Sequence, residues 1–209
     1  MDNSKSEQTE GAEQRIYEAA HEVFLQKGYD GAKMQEIADR AGINKALLHY
    51  YYRSKDKLYE TVAKAVLQRV VAAVHQMINA PDPLEAKIEK LIDFYVDTLG
   101  RNVFVVAFVV SEMNKHPEQF RDRILPADLP QPDAFFQQVR EAAQAGRIRP
   151  VQPEHLLVNV ISMCVFPFLA QPMMRVVLGK SPADMQVFLQ ERKTVVREYI
   201  FQAIKPIQP

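Results

Sequence analysis

The sequence predicts an all-α protein with a small helix-turn-helix domain near its N-terminal end and a larger helical bundle after it. Apolar residues recur at the spacing of one buried helical face along most of the chain. Glycines and prolines divide these stretches into separate helices. Two short helical patterns between Lys33 and Lys55 are joined at Ala41-Gly42-Ile43, which is the arrangement of a helix-turn-helix.

The first predicted helix follows a polar leader. Residues 1–12 lack apolar periodicity, so we expect them to be disordered. The helix is expected to end at Gly28, because a basic last turn followed by glycine is typical of a helix C-terminus. Its buried stripe is formed by Ile16, Ala19, Ala20, Val23 and Phe24.

The next two helices form the motif. Gly42 can adopt the positive φ that ends a helix and turns the chain, and Asn44 can cap the helix that follows. Leu48 and Tyr52 lie four residues apart and are expected to anchor that second helix to the core. The first helix buries Met34, Ile37, Ala38 and Ala41.

The second helix of the motif is expected to expose an unusual set of side chains. Apolar and ring-bearing side chains beside a lysine are costly to leave in water without a binding role. This favours DNA binding over plain packing, although amphipathic helix pairs with a glycine turn also occur in proteins that never bind DNA. The exposed set is Lys45, Ala46, Leu47, His49 and Tyr50.

A long connecting helix and the start of the bundle come next. Ser54 suits the N-cap of a helix of about six turns that ends before Pro81. Pro83 suits the first turn of another helix, which Gly100 ends. The valine-rich run 103–110 could be a buried strand by propensity alone. Because no partner strand is predicted, we interpret it as a helix that is apolar on most sides.

The rest of the chain predicts further helices. A short helix and a loop are expected over residues 120–132, where prolines are frequent. Pro167 and Pro172 are expected to kink the penultimate helix. The three long helices span Asp133 to Ala145, Pro153 to about Leu178, and Pro182 to about Ile204.

The composition is that of an ordinary soluble protein. Hydrophobic residues make up 47% and charged residues 25% of the 209 residues, and the formal net charge is zero. No apolar run approaches the roughly 18 residues that span a bilayer, and the first residues do not resemble a signal peptide. The single cysteine, Cys164, excludes an intrachain disulfide and fits a reducing compartment. We therefore expect a cytoplasmic location and no membrane partner.

Charge is unevenly distributed near the motif. Seven basic residues stand against four acidic ones between Lys27 and Lys57, whereas the preceding 26 residues are acidic. This small local excess predicts weak non-specific DNA binding. Useful affinity would then depend on dimerisation, because two half-sites add their contacts in one binding event.

The motif and its flanks resemble the DNA-binding domain of the TetR family of one-component transcriptional regulators. The resemblance covers roughly Gln14 to Val66 and rests on Phe24-Leu-Gln-Lys-Gly-Tyr29, Ile37-Ala38, Ala41-Gly42-Ile43, Leu48, Tyr52, Lys55 and Leu58. It implies a homodimer with a three-helix DNA-binding domain over residues 13–57 and an effector-binding and dimerisation domain over 58–209. The resemblance also implies that the last two long helices form the dimerisation face, because a palindromic operator requires a two-fold symmetric reader.

If the second helix of the motif enters the major groove, its side chains suggest individual roles, and the resemblance adds roles for Gln35 and Lys55. Lys45 is expected to donate to guanine, and Ala46 and Leu47 to touch thymine methyl groups. His49 and Tyr50 are long enough to reach a base or a phosphate. Gln35 is a further base-contact candidate, and Lys33 and Lys55 are expected to hold phosphates.

Three positions depart from the family pattern. Many members have Thr or Ser where this chain has Ala32 and Lys33, and Tyr where it has His49. Phosphate contact by charge is therefore expected to replace contact by a hydroxyl.

The effector site is predicted from soft and aromatic residues of the bundle, most of which are expected to be ordinary core. Polar groups that would orient an effector are His75, Asp97, Glu112, Asn159 and Ser162. The candidate lining residues are Phe94, Tyr95, Phe104, Phe108, Met113, Met163 and Phe166, with Cys164, Phe168 and Met173 as further members.

An enzyme is not expected. The five histidines include no pair spaced for metal binding, and neither a phosphate-binding glycine loop nor a nucleophilic serine elbow is present. No cofactor is expected. The sequence leaves open a helical partner-binding protein that does not read DNA. A regulator that represses is the commoner outcome in the family, and a small, largely apolar effector is expected to release it.

Overall fold

The computed structural model describes the backbone of residues 3–119 and 131–206, and side chains from residue 11 onward. Within these residues the fold is all-α, as predicted, with ten α-helices and one short 3₁₀ turn. The expected short helix and loop of residues 120–132 lie mostly outside the described part of the chain.

The first helix, α1 (Asn3–Gly31), begins earlier than predicted. Its backbone is already helical over residues 3–10, so the expectation of a disordered leader up to residue 12 is wrong for this segment. The segment contains no proline or glycine and is rich in good helix formers, and these extend the helix without apolar periodicity. The predicted end at Gly28 is confirmed as a break, because Gly28 adopts φ 65° there.

The helix-turn-helix is formed by α2 (Met34–Arg40) and α3 (Lys45–Tyr51). Gly42 has φ 66°, the conformation predicted for the turn. The side chain of Asn44 accepts a hydrogen bond from the backbone N–H of Leu47 at 2.8 Å, so its predicted role as N-cap is confirmed. Leu48 is fully buried and fixes α3 against the rest of the head.

The long helix α4 (Lys55–Asn79) belongs to both parts of the molecule. Ser54 caps it by accepting from the N–H of Lys57 at 3.1 Å. Helix α4 packs against α1 of the head and against several helices of the body. At its far end the buried ammonium of Lys87 donates to the carbonyl of Ile78 at 2.9 Å. Burial lowers the pKa of Lys87, and the nearby Asp82 opposes that effect.

The body contains α5 (Leu84–Arg101), α6 (Val103–Lys115), a 3₁₀ turn (Pro117–Gln119) and α7 (Asp133–Gln144). It continues with α8 (Pro153–Leu169), α9 (Gln171–Val177) and α10 (Pro182–Ile204). Helices α5, α8 and α10 pack closely together. The valine-rich run is helical in α6, as predicted.

Ion pairs add polar contacts between α5 and α10. Lys193 lies 2.8 Å from Asp97, and Arg197 lies 3.3 Å from Asp93.

The predicted single kinked helix from Pro153 to Leu178 is wrong, because the structure contains two helices, α8 and α9, at 74° to each other. Pro172 lies in the first turn of α9, where its missing N–H costs least. A proline further inside a helix would clash with the carbonyl four residues earlier, so the chain ends one helix and starts another. Pro167 lies inside α8, near its end.

No single helix of the described residues is long and apolar enough to cross a membrane. Two bent pairs, α5 with α6 at 92° and α8 with α9 at 74°, reach that length and apolar composition only when the two helices of each pair are counted together.

Candidate nucleic-acid interface and ligand cavity

The solvent face of α3 carries most of the residues predicted to contact DNA. Lys45, Ala46 and His49 are exposed, and Tyr50 is 79% exposed. Leu47 is only partly exposed, which differs from the prediction. A buried Leu48 beneath this face and the Asn44 cap at its start hold a short helix in one orientation.

Some basic side chains near α3 already form an ion pair with a carboxylate, and others do not. Lys27 lies 2.7 Å from Glu36, and Arg40 lies 3.2 Å from Glu22. Within the described residues, Lys33, Lys45 and Arg53 form no ion pair and are all exposed. Arg53 lies between α3 and α4, next to the aromatic run, and was not predicted from the sequence to contact DNA.

Gln35 and Lys33 lie at the start of α2. The Gln35 amide donates to the Asp39 carboxylate at 2.7 Å, one turn further along the helix. Lys33 is the N-cap residue of α2 and makes no cap hydrogen bond with its side chain. Both side chains are exposed, so both are accessible to a partner that approaches α3 from this side.

Lys55 has a different environment from the other cations. Its ammonium donates to the carbonyls of Tyr29 and Ala32 at 3.0 and 3.3 Å and lies 4.3 Å from the centre of the Tyr29 ring. These carbonyls lie at the end of α1, where a positive charge is favourable. Lys55 therefore ties α4 to α1, and its phosphate contact stays a prediction.

An aromatic cluster joins the head to α6. The ring of Tyr59 packs edge-on against Phe24 at 4.9 Å and Phe108 at 5.9 Å. Its hydroxyl donates to the carbonyl of Phe104 at 3.0 Å. Burial raises the pKa of Tyr59 to about 12, with smaller contributions from Asp30 and Tyr29. The phenol therefore stays neutral and keeps this hydrogen bond over the ordinary pH range.

A cavity of about 400 Å³ lies between α4, α5, α6 and α8. Most of its described walls are branched aliphatic side chains. Helix α4 contributes Leu67, Val70, Val71, Val74, His75 and Ile78. The other described lining residues are Tyr95, Leu99, Val105, Val106, Val109, Pro132, Leu157, Ile161 and Val165.

The structure brings only Tyr95 of the seven principal effector candidates to this cavity. Phe104 and Phe108 face the aromatic cluster on another side of α6. Met113 and Phe166 are 51% and 53% exposed, and Phe94 and Met163 are half-buried away from the cavity. Helix α6 is apolar on several faces, and its valines rather than its phenylalanines line this cavity.

The polar candidates are also dispersed. Of them, only His75 lines the cavity, whereas Asp97 and Glu112 line two separate surface pockets. Asn159 and Ser162 are exposed on α8. Among residues 3–119 and 131–206, no group of three or more His, Cys, Asp or Glu side chains is placed to hold a metal ion.

Exposed apolar side chains are concentrated on α8, α9 and α10. A surface of this kind on three neighbouring helices is typical of a protein interface. We call it the α8–α10 face. Its members include Val158, Phe166, Leu169, Met173, Val176, Val177, Val187 and Tyr199.

A helix-turn-helix head on a helical body is the architecture of a class of DNA-binding transcriptional regulators. Residues 16–62 match the family described as bacterial regulatory proteins of the tetR family, and residues 83–199 match the tetracyclin repressor-like C-terminal domain. The chain belongs to the TetR family.

Individual relatives agree with this assignment. The chain is 25% identical to the HTH-type transcriptional regulator RutR of Escherichia coli over 194 residues, which cover 91% of this chain and 89% of RutR. It is 39% identical to the HTH-type transcriptional activator FasR of Mycolicibacterium smegmatis over 80 residues, which are 36% of each chain. The RutR match therefore spans both domains, and the FasR match spans about a third of each chain.

Solved structures share the fold. A TetR-family transcriptional regulator from Mesorhizobium loti aligns with TM-score 0.59 and 18% identity, covering 93% of this chain and 96% of its own. FadR from Bacillus subtilis in complex with stearoyl-CoA aligns with TM-score 0.59 and 16% identity, covering 91% and 98%.

Proposed function

We propose that this protein is a ligand-responsive repressor that binds a palindromic operator as a homodimer and is released by a small, largely apolar effector. The observation that carries the proposal is the solvent face of α3, where exposed Lys45, His49 and Tyr50 stand on a helix fixed by Leu48 and Asn44. We place its action in the cytoplasm, where the operator is accessible.

On DNA, α3 enters the major groove, which is about 12 Å wide and admits one helix. Lys45 lies at the N-terminal end of α3 and donates to a guanine edge, while Ala46 and Leu47 meet thymine methyl groups. His49 and Tyr50 reach a base or a phosphate, and Gln35 adds a base contact from α2. Lys33, Lys55 and Arg53 hold phosphates, which fix the register of the protein on the duplex.

The α8–α10 face supports dimerisation. Apolar side chains such as Phe166 and Tyr199 are costly to leave exposed, and a second copy of the same face covers them in an isologous interface. Two heads then bind two half-sites about one helical turn apart, or a little more. We divide the chain into a DNA-binding domain over residues 13–57 and an effector and dimerisation domain over 58–209.

The cavity and the head share two helices, and this supports coupling between effector and DNA. Val105, Val106 and Val109 of α6 line the cavity, while Phe104 and Phe108 contact Tyr59 of α4. An effector that prefers one position of α6 therefore also biases α4 and the head. A coupling of about 1 to 3 kcal/mol changes DNA affinity by roughly 5- to 150-fold.

Selection of oligonucleotides by the purified full chain tests the DNA-binding part. We expect enrichment of a pseudo-palindrome by the natural chain, and relaxed preference at one half-site position for Lys45→Ala. No enrichment at low salt would contradict the proposal and favour a helical partner-binding protein. A reporter gene under the selected operator then tests whether the protein represses or activates transcription. Reporter expression should rise when the gene for this protein is deleted. A fall in expression would make the protein an activator, the word used for FasR.

A further inference from the structure

The described walls of the cavity carry no formal charge. No Lys, Arg, Asp or Glu is among the described residues that line it, and only His75 and Tyr95 have polar side chains. An ion that entered this space would lose its hydration and gain no opposite charge from these walls. The described walls therefore favour an uncharged occupant.

The contacts of Asn79 determine which nitrogen of His75 carries the proton. The Asn79 amide Nδ2 lies 3.1 Å from the backbone carbonyl oxygen of His75, and this oxygen can only accept. The amide nitrogen rather than its oxygen must therefore face that carbonyl. The same nitrogen lies 2.7 Å from His75 Nε2, so its second proton is donated there. With Nε2 as the acceptor, the donor proton of the ring is on Nδ1.

The Nδ1–H group of His75 has no hydrogen-bond partner in the described part of the chain. Tyr95 is the other polar group, and burial first, then the nearby Cys164, raises the pKa of Tyr95 to about 12. Its phenol is therefore neutral. Among the described walls, the two polar side chains, His75 and Tyr95, can both donate a hydrogen bond.

We propose that the effector of this cavity is an uncharged aliphatic molecule whose single oxygen accepts a hydrogen bond from His75 Nδ1, as a ketone or an alcohol can. This inference rests on the proposed function, because it names the ligand class of the same regulator. The volume of about 400 Å³ is near the lower end of small-molecule sites and suits a chain of about ten carbons. A carboxylate or a quaternary ammonium of the same length finds no opposite charge among the described walls.

Isothermal titration calorimetry on the full chain tests the ligand class with ten-carbon probes of matched length. The probes are 2-decanone, 1-decanol, decanoate and decyltrimethylammonium, in a mildly alkaline buffer that keeps decanoate ionised. We expect the two neutral probes to bind at least about 10-fold more tightly than either ion, because only the ions lose hydration without compensation. Equal or tighter binding of decanoate, or no binding of the neutral probes, would overturn the inference.

Variants of His75 test the hydrogen bond. His75→Leu should weaken 2-decanone binding about fivefold, which is the size of one neutral hydrogen bond, whereas His75→Gln keeps a donor and should restore part of the affinity. If His75→Leu binds 2-decanone as well as the natural chain does, the assigned donor is wrong.

Variants that fill the cavity test whether the probes bind there. Val109→Phe occupies the cavity from a half-buried position and should abolish binding of both neutral probes. Val71→Phe does the same from α4 and replaces it if Val109→Phe does not fold, as judged by circular dichroism. Undiminished binding in a folded filling variant would place the ligand elsewhere.

Operator binding measured without any probe distinguishes a failure of the ligand class from a failure of the proposed regulator. A chain that binds its selected operator but none of the neutral probes contradicts the ligand class and leaves the regulator intact. A chain that binds 2-decanone but enriches no operator contradicts the proposed regulator instead.

Discussion

The hydroxyl of Tyr59 donates a hydrogen bond to the backbone carbonyl of Phe104 across 3.0 Å, and this bond joins α4 to the first turn of α6. Helix α4 begins in the head, and α6 forms one wall of the cavity. A single side chain therefore connects the helix that follows the DNA-reading motif with the helix that an effector would contact.

Tyr59→Phe should uncouple the two helices without breaking their packing. The ring contacts with Phe24 and Phe108 remain, and one partly buried hydrogen bond worth about 1 kcal/mol is lost. We expect the free energy of unfolding in urea to fall by that amount and operator affinity to become less responsive to 2-decanone. Tyr51→Phe is the control, because the Tyr51 hydroxyl has no hydrogen-bond partner within the described residues. Equal responses in both variants would argue against a coupling role for Tyr59.

Lys33→Met should change the salt dependence of DNA binding, whereas Lys55→Met should lower the stability of the fold. Lys33 is exposed and makes no ion pair with any described residue, so its loss should leave stability unchanged and reduce the salt slope of DNA binding by about 1 for each phosphate contact removed. Lys55 donates to two backbone carbonyls, so its loss should lower the free energy of unfolding by about 1 kcal/mol. Urea unfolding and binding at several salt concentrations distinguish them. An unchanged salt slope in Lys33→Met would remove Lys33 from the DNA contacts.

Asn44→Ala should loosen the start of α3. Loss of the N-cap hydrogen bond to Leu47 costs about 1 kcal/mol, and it frees the helix end that carries Lys45. We expect lower stability in urea and weaker binding to the selected operator. Asn44→Ser keeps a capping oxygen and should behave like the natural chain; if it is as damaging as Asn44→Ala, the amide itself contacts DNA.

Phe166→Glu should dissociate the dimer. Phe166 is 53% exposed on the α8–α10 face, so a charge there is tolerated by the folded chain but disfavoured in an apolar interface. We expect a monomer in sedimentation equilibrium and an operator affinity at least about 100-fold lower, because the second half-site no longer contributes. Met113→Glu is the matched control, since Met113 is 51% exposed on α6. A Phe166→Glu dimer of undiminished affinity would place the interface elsewhere.

Tyr95 should make the protein sensitive to alkali. Its pKa in the folded state is about 12 against an ordinary value of 10.0, so its contribution is complete below pH 10. Between pH 10 and about 12 the unfolded chain ionises first, and the free energy of unfolding falls by up to about 1.4 kcal/mol per pH unit. Urea unfolding of Tyr95→Phe should show a smaller decrease over this range. An unchanged slope would mean that Tyr95 ionises equally in both states.

The sequence predicted helix boundaries well at capping residues and tight turns. Gly28, Gly42, Asn44 and Ser54 act as their residue types suggest, because the hydrogen bonds and φ angles involved lie within a few residues. The break between α8 and α9 was predicted only as a kink. Proline excludes a regular helix locally, but the direction in which the chain resumes depends on packing against distant residues.

The amino-acid sequence by itself determined the all-α class, the helix-turn-helix and which residues of α3 are candidates for contact with DNA. Periodicity and capping are properties of neighbouring residues, so a single chain displays them. Only the tertiary structure decided that Lys55 bonds to the end of α1 and that valines and His75, rather than the phenylalanines of α6, line the cavity. A helix that is apolar on several faces has no periodic signal to say which face meets which neighbour, and that choice is made when the helices pack.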